Sequence, residues 1–139
     1  MLTLSLAQAI IAGALAEARE RNASCIAVIV LDAGGHTIAS AREDGATFFR
    51  LDIARAKAVG ALGMGMDTRV LATRAAGNPV FFASLAGAVD GQMAYSPGGV
   101  IVRDEQGETI GGVGISGDLG DVDEFCAQAG IRASGLVHG

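Results

Sequence analysis

Residues 25–31, Cys-Ile-Ala-Val-Ile-Val-Leu, are an unbroken apolar run rich in β-branched side chains. β-Branched residues lose rotamer freedom in a helix and fit a pleated sheet. The run is also too short for a buried helix, so it reads as a buried strand. It stops at Asp32-Ala33-Gly34-Gly35, a turn, and residues 36–42, His-Thr-Ile-Ala-Ser-Ala-Arg, follow at once as a second strand. Strands joined by so short a connection pair antiparallel, because a parallel pair needs a crossover of a dozen or more residues. The chain is thereby committed to an antiparallel sheet whose apolar faces other elements must cover.

Helices are available to cover them. Thr3 or Ser5 can cap a first helix, with Leu6, Ile10, Ala14 and Ala18 on its apolar face, Ala7 and Ile11 alongside, and Glu17–Arg21 as an i,i+4 pair on the wet side. A polar loop, 42–46, leads to an Ala-rich helix over about 48–64, where Gly60 and Gly63 permit close approach of a neighbour. Residues 67–77 read as a short helix or turn, and Pro79 can start another carrying Phe81, Phe82 and Leu85. A strand is expected near Met93–Ser96. Gly98-Gly99 then precede the strand 100–103, and 104–107 turn into a glycine-weakened strand at 109–116. A final helix over 120–133 places Val122, Phe125, Cys126, Ala129 and Ala133 at helical spacing. Asp121 with Glu124 resembles a capping box, and Gly135 suits the C′ position. The order α–β–β–α–α–β–β–β–α indicates one α+β domain over 1–139, with helices on an antiparallel sheet.

Composition narrows the function. Of 139 residues, 50% are hydrophobic and only 18% charged, which implies that some apolar surface is buried between subunits of a homo-oligomer. The net charge is −5 and no stretch gathers basic residues, so nucleic acid is not an expected partner. No run reaches the ~18 apolar residues of a membrane span. Residues 2–16 are apolar, but they lack an N-terminal positive charge and their helical period continues past Ala16, so they read as a helix and not a signal peptide. Cys25 and Cys126 form no CxxC or Cys/His cluster, which fits reduced thiols and a cytoplasmic location.

Several groups are candidates for chemistry. Arg50 and Lys57, seven apart on a helix with Ala54 and Ala61 between them, share a cationic face suited to a carboxylate-bearing ligand. Two solvated charges would have the same spacing. Lys57, the only lysine, is expected in the ligand site, where Lys57→Ala would weaken binding with little change in stability. Arg55 is expected to pair with Asp52. His36 could be an axial ligand to haem iron, or a surface histidine beside a hairpin. Gly112 to Gly117 match G-x-G-x-x-G, but no second strand and acidic residue stand about 20 positions on, so these are strand glycines and not a nucleotide loop. Along this strand Gly112, Gly114 and Ser116 share one face with Ile110. That face is nearly bare, and a helix or a flat ligand can lie against it. The amides of Ser116 to Asp118 could meet an anionic group. No nucleophile constellation is present, and Asp123 and Glu124, adjacent on a helix, do not face each other as an acid/base pair.

Taken in order, Val-Leu-Asp-Ala-Gly-Gly-His at 30–36, Arg-Glu-Asp-Gly-Ala at 42–46, Asp-Ile-Ala-Arg-Ala-Lys-Ala at 52–58, Gly-Gly-Val-Ile-Val at 98–102, Ile-Gly-Gly-Val-Gly-Ile-Ser-Gly at 110–117 and Asp-Glu-Phe-Cys-Ala-Gln-Ala-Gly at 123–130 resemble the GlcG/HbpS-like haem-binding proteins. The C-terminal domain of PduO-type corrinoid adenosyltransferases belongs to the same group. The resemblance covers nearly the whole chain. It implies a profilin-like α+β fold, a five-stranded antiparallel sheet flanked by helices, usually in oligomers, and haem or a related small ligand bound near the loops and subunit contacts. The matching positions are Arg42, Asp44, Gly45 and Ala46; Lys57; Gly98 and Gly99; Gly111, Gly114, Ser116 and Gly117; and Asp123 and Glu124. Where this chain has Glu43 the family more often has Met, and where it has Gly112 more often Ala. Two functions follow. One is a binding protein for haem or a planar acid-bearing ligand, serving sensing, storage or delivery. The other is an accessory enzyme of small organic-acid or aromatic catabolism, isomerase- or hydrolase-like, using Lys57, Arg42 and Asp44.

Overall fold

In the computed structural model, which describes residues 1–139, Thr3 caps the first helix: its Oγ1 accepts from the Leu6 amide at 3.2 Å. This helix, α1, spans Leu4–Glu20. The hairpin follows as β1 (Ala27–Asp32) and β2 (Thr37–Arg42), then α2 (Phe49–Met64), α3 (Thr68–Gly77) and α4 (Pro79–Ala88). The second half contributes β3 (Gly99–Arg103), β4 (Thr109–Ser116), α5 (Gly120–Ala133) and β5 (Val137–His138). The five strands form one antiparallel sheet in the order β2-β1-β4-β3-β5.

Alternation along the strands splits the interior in two. Val28 and Val30 of β1, Val100 and Val102 of β3 and Val113 and Ile115 of β4 point to one face, where α1 and α5 cover them with Ile10, Ala14, Cys126 and Ile131. Each such branched side chain, fully buried, stabilises by roughly 1.5–3 kcal/mol. Ile29 and Leu31 point to the other face and meet Ala54 and Ala58 of α2. The sheet is therefore sandwiched between α1/α5 and α2.

The fifth strand is not where the sequence suggests. Residues 93–96 form no strand: the Ala94 amide donates to the Ala56 carbonyl, and Met93 packs 3.5 Å from the Cβ position of Gly60, so the segment lies over α2. The edge is taken by Val137 and His138, which pair with Arg103 and Val102. Two expected side-chain interactions also differ. Arg55 leaves Asp52 and donates to Thr37 Oγ1 (2.9 Å) and the Gly35 carbonyl (3.3 Å), fastening α2 to the hairpin. The capping box of α5 does not form, because Asp121 and Glu124 are both held by Arg69 of α3. Gly135 does terminate α5 with a positive φ of 81°, a conformation open to glycine.

Candidate functional site

Register collects most of the candidate residues at one end of the sheet. Ala27 pairs with Arg42 on one side and Ser116 on the other, so the last residues of β2 and β4 flank the start of β1. The 42–46 loop, Arg50 at the start of α2, Gly98 and Gly99 at the start of β3, and Gly117 gather at the same end. Arg50 donates from Nη1 to Ser116 Oγ at 3.2 Å, and Arg42 donates from Nη1 to the Ala46 carbonyl at 2.7 Å. Neither arginine has a carboxylate within ion-pair distance; the paired cations are Arg19, Arg21, Lys57 and Arg69, with His36 beside Asp32. Asp44 and Gly45 are exposed, and Ala46 is buried beneath them.

Lys57 has a different place from the one expected. It is 3% exposed, and its Nζ donates to the Ile115 carbonyl at 2.9 Å and to Asp123 Oδ2 at 3.1 Å. Arg50 and Lys57 do share a helical face, but that face lies on the sheet. The lysine passes the start of β3, where Gly98, at φ +127°, leaves room: a Cβ there would stand 2.9 Å from Nζ. Asp123 Oδ1 accepts from the Asp118 amide at 3.0 Å, so that amide is committed within the chain and not to an incoming anion. Burial pushes the Asp123 carboxyl above its ordinary value, against the pull of the Lys57 ammonium and the Asp118 amide. The cluster ties α2 to α5 across the end of the sheet. The lysine's ammonium is engaged within the chain, by the Ile115 carbonyl and the Asp123 carboxylate.

The glycines of β4 are likewise filled from within. The position a Cβ would take on Gly114 is occupied by the Ala54 carbonyl, and that on Gly99 by the Lys57 carbonyl. The bare face of β4 thus receives the backbone of α2, and a flat ligand does not fit there. Gly111 faces the opposite side, against Leu2 and the Leu31 carbonyl. Glu124 is buried and bound by Arg69 Nε at 2.8 and 3.1 Å, which pins α5 to α3. His36 is at the other end of the sheet, beyond the Leu31–Thr37 pair, with its side chain 82% exposed and Nδ1 3.3 Å from Asp32 Oδ1. It does not face the gathered residues and forms no part of a metal-ligating cluster with them. The Cys126 thiol is buried among α1 and α5 and is pushed up to about 11 by that burial.

The sequence of the haem degrading, HbpS-like family matches residues 2–132. This chain belongs to that family. Among solved structures, a PduOC–haem complex superposes with a TM-score of 0.88 at 25% identity, covering 99% of this chain and 97% of that one. HbpS is 30% identical with a TM-score of 0.82, covering 95% of this chain and 89% of its own. Klebsiella pneumoniae protein ORFY is 26% identical with a TM-score of 0.87 over 97% and 91% of the two chains. No curated protein matches by sequence.

Within this HbpS-like chain, the departure at Glu43 has a structural use. Its Oε1 accepts from the Ile26 amide at 2.8 Å and its Oε2 lies 3.0 Å from Arg19 Nε, so it joins the hairpin to α1. Reasoning from sequence passed over Phe48 and Phe49. They are 68% and 64% exposed, with ring centroids 4.6 Å apart, immediately before Arg50. Two adjacent aromatics at the start of an amphipathic helix, off its apolar stripe, were the available signal. Also passed over was a cavity formed by Met64, Met66, Leu71, Arg74, Phe81 and Phe82 between α2, α3 and α4.

Proposed function

We infer that this HbpS-like protein binds haem, or a related flat apolar ligand bearing carboxylates, at the end of the sheet marked by Arg42 and Arg50. The observation that carries the reading is the adjacency of an exposed aromatic pair, Phe48 and Phe49, to two guanidinium groups without carboxylate partners. Aromatic faces suit a planar apolar body, and arginine is suited to bidentate carboxylate recognition. Asp44 and Gly45 form the adjacent exposed loop, and Ser116 orients Arg50. Lys57, Asp123, Glu124, Gly98, Gly99, Gly114 and Gly117 support the site from behind. Bound haem would contribute iron chemistry. His36, at the opposite end of the sheet, is not among the residues assigned to this site.

The role is sensing, storage or delivery by a homo-oligomer in the cytoplasm. The haem-bound PduOC relative and the family match support the ligand class. Two free cysteines fit a reducing compartment, and no helix is long and apolar enough to cross a membrane. Titration with haemin, followed by absorbance, tests the reading. A saturable Soret shift is expected, together with comparable binding of iron-free protoporphyrin, because the contacts assigned here are to the ring and its acids. Arg42→Ala with Arg50→Ala should weaken both at least tenfold without lowering the melting temperature. No Soret shift, or unchanged affinity in that double variant, would overturn it.

A further inference from the structure

The cavity between α2, α3 and α4 stands apart from that site. It is an open cleft of about 380 Å³, and Met64, Met66, Leu71, Phe81 and Phe82 supply apolar walls. A dry apolar cavity of about 150 Å³ already admits a benzene ring, so this one has room for two fused rings or a medium aliphatic chain. One cation stands on the wall: Arg74, whose guanidinium has neither a hydrogen-bond acceptor nor a carboxylate within the chain. A single unpaired, solvent-exposed guanidinium beside an open apolar cleft suits a monocarboxylate with an apolar body.

A second copy of the chain is a less fitting occupant. Residues 68–89 contain no Asp or Glu, so an isologous contact through α3 and α4 would set Arg74 against uncharged surface or against its own copy. Val80, 82% exposed on α4, lies outside the lining and can serve subunit contact without filling the cleft. We propose that the Met64–Arg74–Phe82 cavity is a second binding site, taking a small aromatic or medium-chain aliphatic monocarboxylate whose carboxylate pairs with Arg74.

Gly77 provides a clean test. It lines the cavity, and a Cβ on it meets nothing within 4 Å, so Gly77→Phe can fill the space without strain. Naphthalene-2-carboxylate and octanoate serve as probes, with naphthalene-2-carboxamide as the neutral control, in calorimetric titrations of the intact protein. At least one acid should bind, and the naphthalene acid at least tenfold more tightly than its amide. Arg74→Gln should erase that difference, Arg74→Lys should restore part of it, and Gly77→Phe should abolish binding while melting no lower than the parent. Haemin uptake should be unchanged in all three variants, which separates this site from the sheet-end site. Equal affinity for acid and amide, retained binding in Gly77→Phe, or no binding of either acid at millimolar concentration would overturn the proposal. So would a change in oligomer mass caused by Gly77→Phe, which would assign the cleft to a subunit contact.

Discussion

Lys57 Nζ lies 3.1 Å from Asp123 Oδ2, joining a helix on one face of the sheet to a helix on the other through an ion pair removed from water. A buried charge left without its partner costs far more than the intact pair contributes. Lys57→Met should therefore destabilise the fold by about 3–5 kcal/mol, and Asp123→Asn by a similar amount. The double variant Lys57→Met/Asp123→Asn should recover a large part of the loss. Chemical denaturation of the three variants checks this; additive losses in the double variant would contradict it.

Glycine substitutions should have opposite signs at two positions. Gly114→Ala drives a methyl into the Ala54 carbonyl and must push α2 off the sheet, at a cost of about 3 kcal/mol, the upper end of overpacking penalties. Gly63 sits in α2 with open space where a Cβ would go, so Gly63→Ala should stabilise by roughly 0.5–1 kcal/mol. Thermal melts of the two variants read the contrast directly.

Thiol chemistry should distinguish the cysteines. Cys25 is half-buried beside Gly45, whereas Cys126 is fully buried with its thiol pushed up to about 11. Ellman's reagent at pH 8 should titrate one thiol rapidly in the native protein and two in denaturant. The raised group stays protonated in the folded state after its unfolded counterpart, near 9.0, has ionised. Its contribution to stability is therefore complete below about pH 9 and is lost as the pH rises toward about 11. Cys126→Ala should flatten that alkaline decline.

Self-association should be visible in solution. Light scattering at micromolar concentration is expected to give a multiple of the 13.9 kDa chain mass. Val80→Glu should lower that mass, since α4 carries no charge across its ten residues and exposes Val80. A monomeric parent protein would refute the expectation.

Local chemistry determined most of the elements, all but the edge strand. The β-branched run ending in Asp-Ala-Gly-Gly imposed the hairpin, Thr3 and Gly135 marked helix ends, and the period of α1 declared its buried face. The period of α5 did not: of Val122, Phe125, Cys126, Ala129 and Ala133 only Cys126 is buried, and the helix instead turns Asp123, Glu124, Ala127 and Ile131 inward, because Lys57 and Arg69 hold those two carboxylates. The order of motifs was enough to place the chain in its family, because each motif reflects a local turn or packing need. Tertiary structure decided what the charged and glycine residues do. Lys57 and Arg50 are equivalent on a helical wheel, and only the position of α2 over the glycines of β4 buries one and leaves the other at the rim. Likewise, whether a bare strand face receives a ligand or a helix depends on which element arrives there. The edge strand Val137–His138 and the cavity around Arg74 depend on contacts between segments distant in sequence, and periodicity carries no record of such contacts.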